Sequence, residues 1–322
     1  MIYMKDAEIT IEQLNQLKRE NDKWMTIGGI LLTLIFLVPL GVFIGLFLRS
    51  TSLFSGNRGF SMLWTGGSFG ALFLLFFLFL IGVIAVIFVM AKKRSTYRTA
   101  YKKHFSHKML SGFLKEYNYT HNEGISSRDL AETGMVRLGN KYHSEDYTSG
   151  RYKDVGFTQA DVVNQEEYTD SDGDTHTVTL FRGQWMIFEF PRRFVSKLAV
   201  AGNRCRQTIY ARKMEKFETE SVEFNKRFRV YMQDGVEMFY LLDPKMIEKM
   251  QALSDRFDGA VSFLFIDKKL HIALNNGVDS FEPPKHKKGD LNETEEVERL
   301  SGEFKTVFDL IDALELSKNI FK

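Results

Sequence analysis

The sequence has 322 residues, of which 44% are hydrophobic and 26% are charged, averages that would suit a soluble globular chain. Its charges are divided unequally: residues 1–108 contain 13 Lys and Arg against 5 Asp and Glu, whereas residues 109–322 contain 30 against 36. Together with two long uncharged blocks in the basic part, this distribution excludes a wholly soluble chain and gives no support to nucleic-acid binding. A single cysteine, Cys205, excludes an internal disulfide and a thiolate-rich metal cluster.

The first 24 residues contain acidic as well as basic side chains, and Thr10 with Gln13 forms the pattern of a helix-capping box. We therefore expect residues 1–24 to form a cytoplasmic amphipathic segment. No small-residue cleavage site follows the first apolar block, so this block is predicted to be a permanent anchor and not a signal peptide.

The two uncharged blocks have the length of transmembrane helices. Residues 27–48 and 69–90 each form a run of 22 residues without a charge. At 1.5 Å per residue such a helix is about 33 Å long, and the hydrocarbon core of a bilayer is about 30 Å thick. The sequence therefore predicts a two-helix transmembrane hairpin within residues 25–91, closed by a short extracytoplasmic loop.

Basic residues near the two spans predict their orientation. Four bases precede the first span and six follow the second, whereas the connecting loop, residues 49–68, contains only Arg49 and Arg58. By the positive-inside rule, both ends of the hairpin face the cytoplasm. We expect a multi-pass protein of the cell inner (cytoplasmic) membrane with both termini cytoplasmic.

Residues 92–117 are predicted to extend the second span as a basic juxtamembrane helix, because apolar residues recur three or four positions apart from Tyr97 to Phe113. The bases on the other face are expected to contact anionic lipid headgroups, each contributing about 1 kcal/mol close to the surface. They are Lys92, Lys93, Arg94, Arg98, Lys102 and Lys103. The alternative is that these bases only determine the topology.

Glycines within the spans suggest where the two helices meet. Gly41 and Gly45 form a G-x-x-x-G pattern near the outer end of the first span, and Gly66 and Gly70 form another where the second begins. In an antiparallel hairpin these pairs lie at similar depth, which predicts close helix–helix packing there. Neither span contains an ionisable residue, so a pore would require oligomerisation.

Residues 118–290 are predicted to form a cytoplasmic α+β domain with a mainly antiparallel sheet. Residues 154–168 and 175–190 have the composition of two strands joined by an Asp-rich turn. Gly183 suggests a bulge within the second of these strands.

Later segments of the domain have clear local signals. A further strand is expected from Phe228, a helix from its cap Asp243, and a hairpin over residues 261–274. Asn292 is predicted to cap a C-terminal amphipathic helix within residues 291–322, which either packs on the domain or pairs with another protomer.

The sequence contains no recognised catalytic motif. Asp170, Asp172 and Asp174 are interpreted as a solvated turn, with a weak divalent-cation site as the alternative, since the Gly and Glu positions of an EF-hand are not matched. His271 lies on the face of its strand opposite its apolar neighbours, and Cys205 is interpreted as a structural or surface thiol. We expect no catalytic residue, no metal site and no cofactor.

Five motifs in order resemble the bacterial domain-of-unknown-function 3137 family. They are Asp146-x-x-x-Gly150, Phe181-x-Gly183-x-Trp185-x-x-Phe188-x-Phe190, Glu220-Ser221-x-x-Phe224-Asn225-x-x-Phe228-x-Val230, Leu241-Leu242-x-Pro244 and Phe281-Glu282-Pro283-Pro284. With the two preceding spans, the resemblance covers nearly the whole chain. Where the family has Leu-Thr-Pro this chain has Leu-Asp-Pro, and both Thr and Asp can cap a helix.

The resemblance implies a two-span membrane protein but no established activity. Members of this family are sometimes labelled galanin, although a two-span membrane protein does not look like a secreted neuropeptide. They also tend to occur together with LemA-type membrane proteins, which implies an association with the cell envelope. The resemblance supplies no catalytic residues.

Together these observations predict a membrane-anchored cytoplasmic binding or scaffold module of the bacterial envelope, without an assigned reaction. Expected partners are membrane lipids and either another envelope protein, with LemA-type proteins as the candidates that the resemblance implies, or a second copy of the chain. One alternative is a membrane-tethered enzyme with an unrecognised cytoplasmic site, which a cleft with buried, pKa-shifted groups would favour. The other is an oligomeric pore subunit.

Overall fold

The structure of the protein, a computed structural model, forms two compact units. The first unit comprises Met1–Tyr101 with Lys285–Leu291, and the second comprises Lys102–Pro284 with Asn292–Lys322. The described residues are 9–53, 66–195, 197–203, 214–233, 241–257, 259–279, 281–284 and 289–315.

The first unit contains a long N-terminal helix, α1 (Ile11–Leu53). Its start is the predicted capping box, because the backbone N–H of Gln13 donates to Thr10 Oγ1 at 3.3 Å and the backbone N–H of Thr10 donates to Gln13 Oε1 at 3.0 Å. These two bonds satisfy amides that the first helical turn leaves without partners. The predicted N-terminal segment and the first apolar block are thus parts of one continuous helix.

The second helix, α2 (Gly66–Phe113), runs antiparallel to α1 where both belong to the first unit. Lys93 Nζ lies 2.7 Å from Glu20 Oε2 at one end of the pair, and the rings of Phe36 and Phe79 meet edge to face at 5.5 Å further along. The helices approach closely at Gly28, where an added Cβ would meet the Met90 side chain at 2.2 Å.

Residues Phe76–Phe113 of α2 include a window with a mean hydropathy of 2.3 and are long and apolar enough to cross a membrane. Among the described residues, this is the one helix that meets both conditions. Large apolar side chains along it are exposed, including Ile81, Ile84 and Phe88. Exposed apolar surface on this scale is typical of a site that lipid or another protein covers.

The second unit is built on one nine-stranded sheet in which all neighbouring strands are antiparallel. The strand order is β1-β2-β3-β4-β9-β8-β5-β7-β6. The strands are β1 (Lys115–Thr120), β2 (Lys141–Tyr152), β3 (Val155–Thr169), β4 (Thr175–Glu189), β5 (Leu198–Gly202), β6 (Glu215–Phe217), β7 (Phe228–Met232), β8 (Ala260–Ile266) and β9 (Lys269–Asn275). This architecture confirms an α+β fold with a mainly antiparallel sheet.

Helices of the second unit begin at the caps that the sequence predicts. Asp243 accepts a hydrogen bond from the backbone N–H of Met246 at 2.7 Å and begins α5 (Pro244–Arg256). Asn292 accepts one from Glu295 at 3.2 Å and begins α6 (Glu293–Glu315). Two shorter helices, α3 (Ser127–Thr133) and α4 (Val222–Arg227), were not predicted.

Two local predictions are wrong. The juxtamembrane helix ends at Phe113 and not near Tyr117, because Lys115–Thr120 pairs with β2 as an edge strand. Gly183 does not form the bulge of β4; the register with β3 instead shifts at residue 180. Gly183 has a φ of 150° and accommodates the carbonyl of Leu274, from which an added Cβ would be 2.0 Å away.

Each face of the sheet buries a different set of side chains. On the α3 face, the buried residues include Trp185, Ala160 and Leu264 together with Leu130 of α3. On the opposite face, which we call the α6 face, Phe157 packs on Phe308 of α6 with ring centroids 5.6 Å apart. The candidate site lies on this α6 face.

Candidate functional site

The second unit contains a buried lysine surrounded by carboxylates, which we call the Lys102 cluster. The side chain of Lys102 is 3% exposed. Its ammonium donates a hydrogen bond to Asp146 Oδ2 and lies 3.2 Å from Glu282 Oε1 and 3.3 Å from both Glu145 Oε1 and Asp279 Oδ1. Lys102 therefore does not contact lipid headgroups as predicted, because its charge is already bound within the protein.

An irregularity in β2 brings two consecutive carboxylates to this lysine. In a regular strand, neighbouring side chains point to opposite faces. Here the pairing of β2 with β3 shifts between Glu145 and Thr148, and Asp146 adopts a φ of 60°. The backbone N–H of Asp146 donates to the His121 carbonyl at 3.1 Å and is thereby satisfied outside the ladder. The bulge explains how Glu145 and Asp146 both reach Lys102.

The other two carboxylates come from the segment that follows β9. Asp279 and Glu282 lie on either side of Phe281, whose side chain is fully buried. The Phe281 ring contacts Tyr119 of β1 and Phe304 of α6, with centroid distances of 5.7 and 6.3 Å. Burial of this one ring thus holds both carboxylates next to the sheet.

Tyr119 completes the contacts of Asp146. Its hydroxyl donates a hydrogen bond to Asp146 Oδ1 at 2.5 Å, so both oxygens of the carboxylate accept hydrogen bonds. Burial first, and then the charge of Asp146 and this hydrogen bond, raise the pKa of Tyr119 well above its usual value. The phenol is therefore a hydrogen-bond donor at any physiological pH.

The electrostatics of the cluster result from burial acting against ion pairing. Burial raises the pKa of Asp146 above its usual value, and the charge and hydrogen bond of Lys102 offset only part of this effect. Lys102 lies outside the proposed membrane-spanning block of α2, which ends at Met90. Burial by itself lowers its pKa, but Asp146, Asp279 and Glu145 outweigh this effect, and the pKa of Lys102 is raised.

The acidic groups also have the spacing of metal ligands. Carboxylate oxygens of Asp146, Asp161 and Asp279 lie within 4.8 Å of one another, and so do those of Glu145, Asp279 and Glu282. These two sets offer oxygen donors alone, which suit hard cations such as Mg²⁺ and Ca²⁺. The residues present therefore fit such a cation by donor type.

A second concave surface lies on the α3 face of the sheet. It is a groove of about 630 Å³ between the start of α3 and strands β2, β3 and β4. Its lining includes the side chains of Tyr147, Ile187, Glu189 and Lys269. The volume of the groove is in the range of small-molecule sites. Its lining contains both acidic and basic side chains and it is open to solvent, so it does not indicate one class of ligand.

The remaining predicted headgroup bases are at least partly exposed: Lys92, Lys93, Arg94, Arg98 and Lys103. Their contact with lipid stays a prediction. Lys93 also forms the ion pair with Glu20 described above.

The predicted glycine contacts are found in a different place. An added Cβ at Gly41 would meet no atom within 4 Å, so the described part of the helix pair does not approach closely there, in contrast to Gly28. Gly45, Gly66 and Gly70 belong to the two helices, but their side-chain surroundings lie outside the described residues. Helix–helix packing at these three positions stays a prediction.

The Asp-rich turn is explained by its own hydrogen bonds. Asp170 Oδ1 accepts the backbone N–H groups of Asp172 and Asp174, at 3.0 and 2.9 Å, and Asp170 Oδ2 lies 2.7 Å from His176 Nε2. The His176 contact and then the backbone bonds hold the pKa of Asp170 below its usual value. This pattern agrees with a solvated turn.

His271 and Cys205 are the two other residues that the sequence offers for possible chemistry, and the structure describes the first of them. His271 is buried on the α3 face and accepts a hydrogen bond at Nδ1 from Trp185 Nε1 at 3.3 Å. Burial, followed by the charge of Lys269, lowers the pKa of His271 to about 4, so its ring is neutral at pH 7. Cys205 lies outside the described residues.

Fold and site together define an α+β domain whose antiparallel sheet buries a lysine–carboxylate cluster on one face. Residues 179–316 match the family model described as "Protein of unknown function (DUF3137)". This match confirms the family resemblance over these residues. The first motif, which contains Asp146, and the apolar blocks lie outside the matched residues.

The other comparisons add little. The search of curated proteins finds no match. A solved structure, described as the crystal structure of the mycobacterial trehalose monomycolate transport factor A, TtfA, aligns with 66% of this chain and 97% of its own, at 8% identity and a TM-score of 0.35. Similarity at this level supports no functional argument.

Sequence reasoning missed the cluster as a site although it quoted two of its residues. Asp146 and Glu282 each belong to a family motif, and Lys102 was assigned to lipid. Asp161 and Asp279 have no local signal, because their partners are distant along the chain: Lys102 and Asp279 are 177 positions apart. The convergence of two motifs on one buried cation is visible only in the folded domain.

Proposed function

We propose that this protein is a membrane-anchored binding or scaffold module of the bacterial envelope. In this proposal α1 and α2 cross the inner membrane as a hairpin, both termini are cytoplasmic, and the second unit binds partners. The exposed apolar surface of α2 and its antiparallel packing on α1 support the hairpin. The unequal distribution of basic residues supports the orientation.

The main support for binding is a ribbon that extends beyond the rest of the sheet. We define the β3–β4 ribbon as residues 166–169 of β3 and 175–179 of β4. Pairing of β2 with β3 reaches only to Gln165, and pairing of β9 with β4 reaches only to Gln184. Among the described residues, the outer edge of β4 in the ribbon therefore has no neighbouring strand.

The two edges of the ribbon differ. On the β3 edge, the Asn140 side chain bonds both the N–H and the C=O of Glu167, at 2.8 and 2.6 Å, and so blocks further pairing. On the open-edged strand β4, Val178 is 43% exposed, and Tyr168 on the paired strand β3 is 51% exposed. An open edge with exposed apolar side chains is suited to strand addition by a partner.

The Lys102 cluster does not favour the enzyme alternative. A catalytic cleft must admit a substrate next to its shifted groups. Among the described residues, a cavity that adjoins the cluster has a volume of about 20 Å³, which suffices for about one water molecule. We therefore interpret the cluster as part of the binding module and not as a reaction centre.

Partners in this proposal are membrane lipids and a further protein. The five remaining bases of the predicted juxtamembrane helix contact headgroups. The ribbon pairs with another envelope protein, for which LemA-type proteins are the candidates, or with a second copy of the chain. The oligomeric pore has no observation of its own in its favour.

Photo-crosslinking from the ribbon in intact cells tests this function. We expect p-benzoylphenylalanine in place of Val178 to give a discrete covalent adduct, because a paired strand would lie within reach of that side chain. Mass spectrometry of the adduct then identifies an envelope protein or a second copy of the chain.

The matched control is the same substitution at Val222, which is 68% exposed on α4 and not part of the ribbon. We expect no discrete adduct from this position. If the two positions give the same products, or if neither gives an adduct, binding through the ribbon is wrong.

A further inference from the structure

Two buried amides on the α6 face have no hydrogen-bond partner in the described part of the chain. The side chains of Gln159 and Gln184 are fully buried, and both the nitrogen and the oxygen of each amide are unpaired. The hydroxyl of Thr148, opposite Gln159 in the ladder, is also unpaired. Buried amides without partners are rare, since desolvation is costly, and they commonly indicate a bound water or ion.

The strand register places one of these amides beside the Lys102 cluster. Gln184 is the ladder partner of Asp161 on β3, and Asp161 is in turn the partner of Glu145 on β2. Directly opposed residues project from the same face with Cβ atoms about 5 Å apart. The Gln184 amide is therefore on the same face as the carboxylate of Asp161, which is 5% exposed.

Space and donor spacing agree with a single ion at this position. Asp161 and Asp279 line the 20 Å³ cavity, whereas Asp146 and Gln184 do not line it and instead follow its lining residues Glu145 and Gly183 along their strands. One carboxylate oxygen from each of Asp146, Asp161 and Asp279 lies within 4.8 Å of the others. Two oxygens bound to a common Ca²⁺ at 2.3–2.6 Å can be separated by about twice that length.

We propose that the second unit binds one hard divalent cation, Ca²⁺ or Mg²⁺, through Asp146, Asp161, Asp279 and the amide oxygen of Gln184. The donor set contains only oxygens, so it selects against Zn²⁺ and Cu²⁺, which prefer nitrogen or sulfur ligands. This site is separate from the proposed ribbon interface and does not depend on it.

Lys102 and the proposed ion occupy different sides of the carboxylates. Lys102 contacts four of them, but Asp161 is not one of the four. The ion therefore binds on the Asp161 side, and the ammonium remains on the Glu282 side. Arg182 also lines the cavity, so the ion must bind strongly enough to offset its nearby positive charge.

Terbium(III) luminescence of the full chain in detergent micelles provides a direct test. Tb³⁺ takes the oxygen ligands of Ca²⁺ and emits when a nearby tyrosine is excited. Tyr119 donates a hydrogen bond to Asp146, so Tb³⁺ at this site should give sensitised emission that Ca²⁺ or Mg²⁺ removes by competition.

We expect Asp161→Asn to weaken Tb³⁺ binding about tenfold or more, which is the size of loss found when a residue that supports a metal ligand is replaced. Asp172→Asn, in the exposed turn, should bind as the unsubstituted protein does.

A second variant separates a ligand role from a structural one. Gln184→Leu removes an amide that has no partner in the described protein, so without divalent cation this variant should melt no lower than the unsubstituted protein. Added Ca²⁺ should raise the melting temperature of the unsubstituted protein but not that of Gln184→Leu, because an ion that binds only the folded state stabilises it. Equal cation responses in the two proteins, or Tb³⁺ binding unchanged by Asp161→Asn, would overturn the proposal.

Discussion

At the scale of single residues, Lys102 shows how burial changes the role of a base. An exposed lysine next to a membrane would interact with headgroups through a flexible stem. Here the stem is enclosed and the ammonium is held by four carboxylates. Moving an ammonium out of water is costly, and only close partners offset this cost. Lys102 is thus a positioning residue for Asp146 and its neighbours.

Replacing this ammonium should destabilise the second unit. We expect Lys102→Met to lower the free energy of unfolding by about 3–5 kcal/mol, because it leaves buried carboxylates without their cation. Thermal or urea unfolding in detergent measures the loss. The control is Lys103→Met, since Lys103 is exposed. If the two variants have equal stability and Lys102→Met only weakens binding to anionic vesicles, Lys102 contacts lipid after all.

At the scale of elements, helix starts in the second unit depend on single capping side chains. Asp243 both caps α5 and precedes Pro244, whose missing N–H costs nothing in the first turn. Three side chains of α5, those of Met246, Met250 and Leu253, are buried. The cap therefore positions a helix whose apolar face forms part of the core.

Removing the cap of α5 should have a measurable but limited effect. We expect Asp243→Ala to cost about 1 kcal/mol of stability, because the backbone N–H of Met246 loses its acceptor. Asp243→Thr, which restores the residue of the family pattern, should retain most of the stability. Urea unfolding followed by circular dichroism checks both. If Asp243→Thr loses as much stability as Asp243→Ala, the charge of Asp243 and not its capping hydrogen bond stabilises the helix.

At the scale of the whole molecule, the membrane assignment depends on two apolar blocks in a chain with few other exposed apolar side chains. Exposed large apolar residues in the first unit extend from Met25 to Phe88, whereas the described part of the second unit has four, Tyr168, Val178, Val222 and Val278. An exposed apolar surface as large as that of the first unit is normally covered by lipid or protein. The hydrocarbon core of a bilayer would cover it without a protein partner.

Labelling with a membrane-impermeant maleimide tests the proposed topology. In a Cys205→Ser background, a Ser55→Cys variant should react in intact spheroplasts, because residue 55 lies in the predicted extracytoplasmic loop. A Ser171→Cys variant, in the exposed turn between β3 and β4, should react only after the membrane is permeabilised. Labelling of Ser171→Cys in intact spheroplasts would place the second unit outside and contradict the topology.

Much of the fold follows from local sequence signals. Capping residues Thr10, Asp243 and Asn292 begin the helices at the predicted positions, and alternation predicted β3, β4 and β7. Strand β2 and edge strand β1 were missed, because their polar residues have little alternation and form strands through pairing with neighbours. Little of the candidate site was predictable, since its residues come from α2, β2, β3, β4 and the segment after β9.

By itself, the sequence determined the long helices, strands β3, β4 and β7, the family resemblance and the separation of a basic N-terminal part from an acidic remainder, because these depend on residues that are close neighbours along the chain. Only the tertiary structure decided that Lys102 is buried, that Asp146 departs from its strand, and that Asp161 and Gln184 face each other. The physical reason is that burial and ion pairing depend on distances in space, and no sequence pattern records such distances between residues that are tens of positions or more apart.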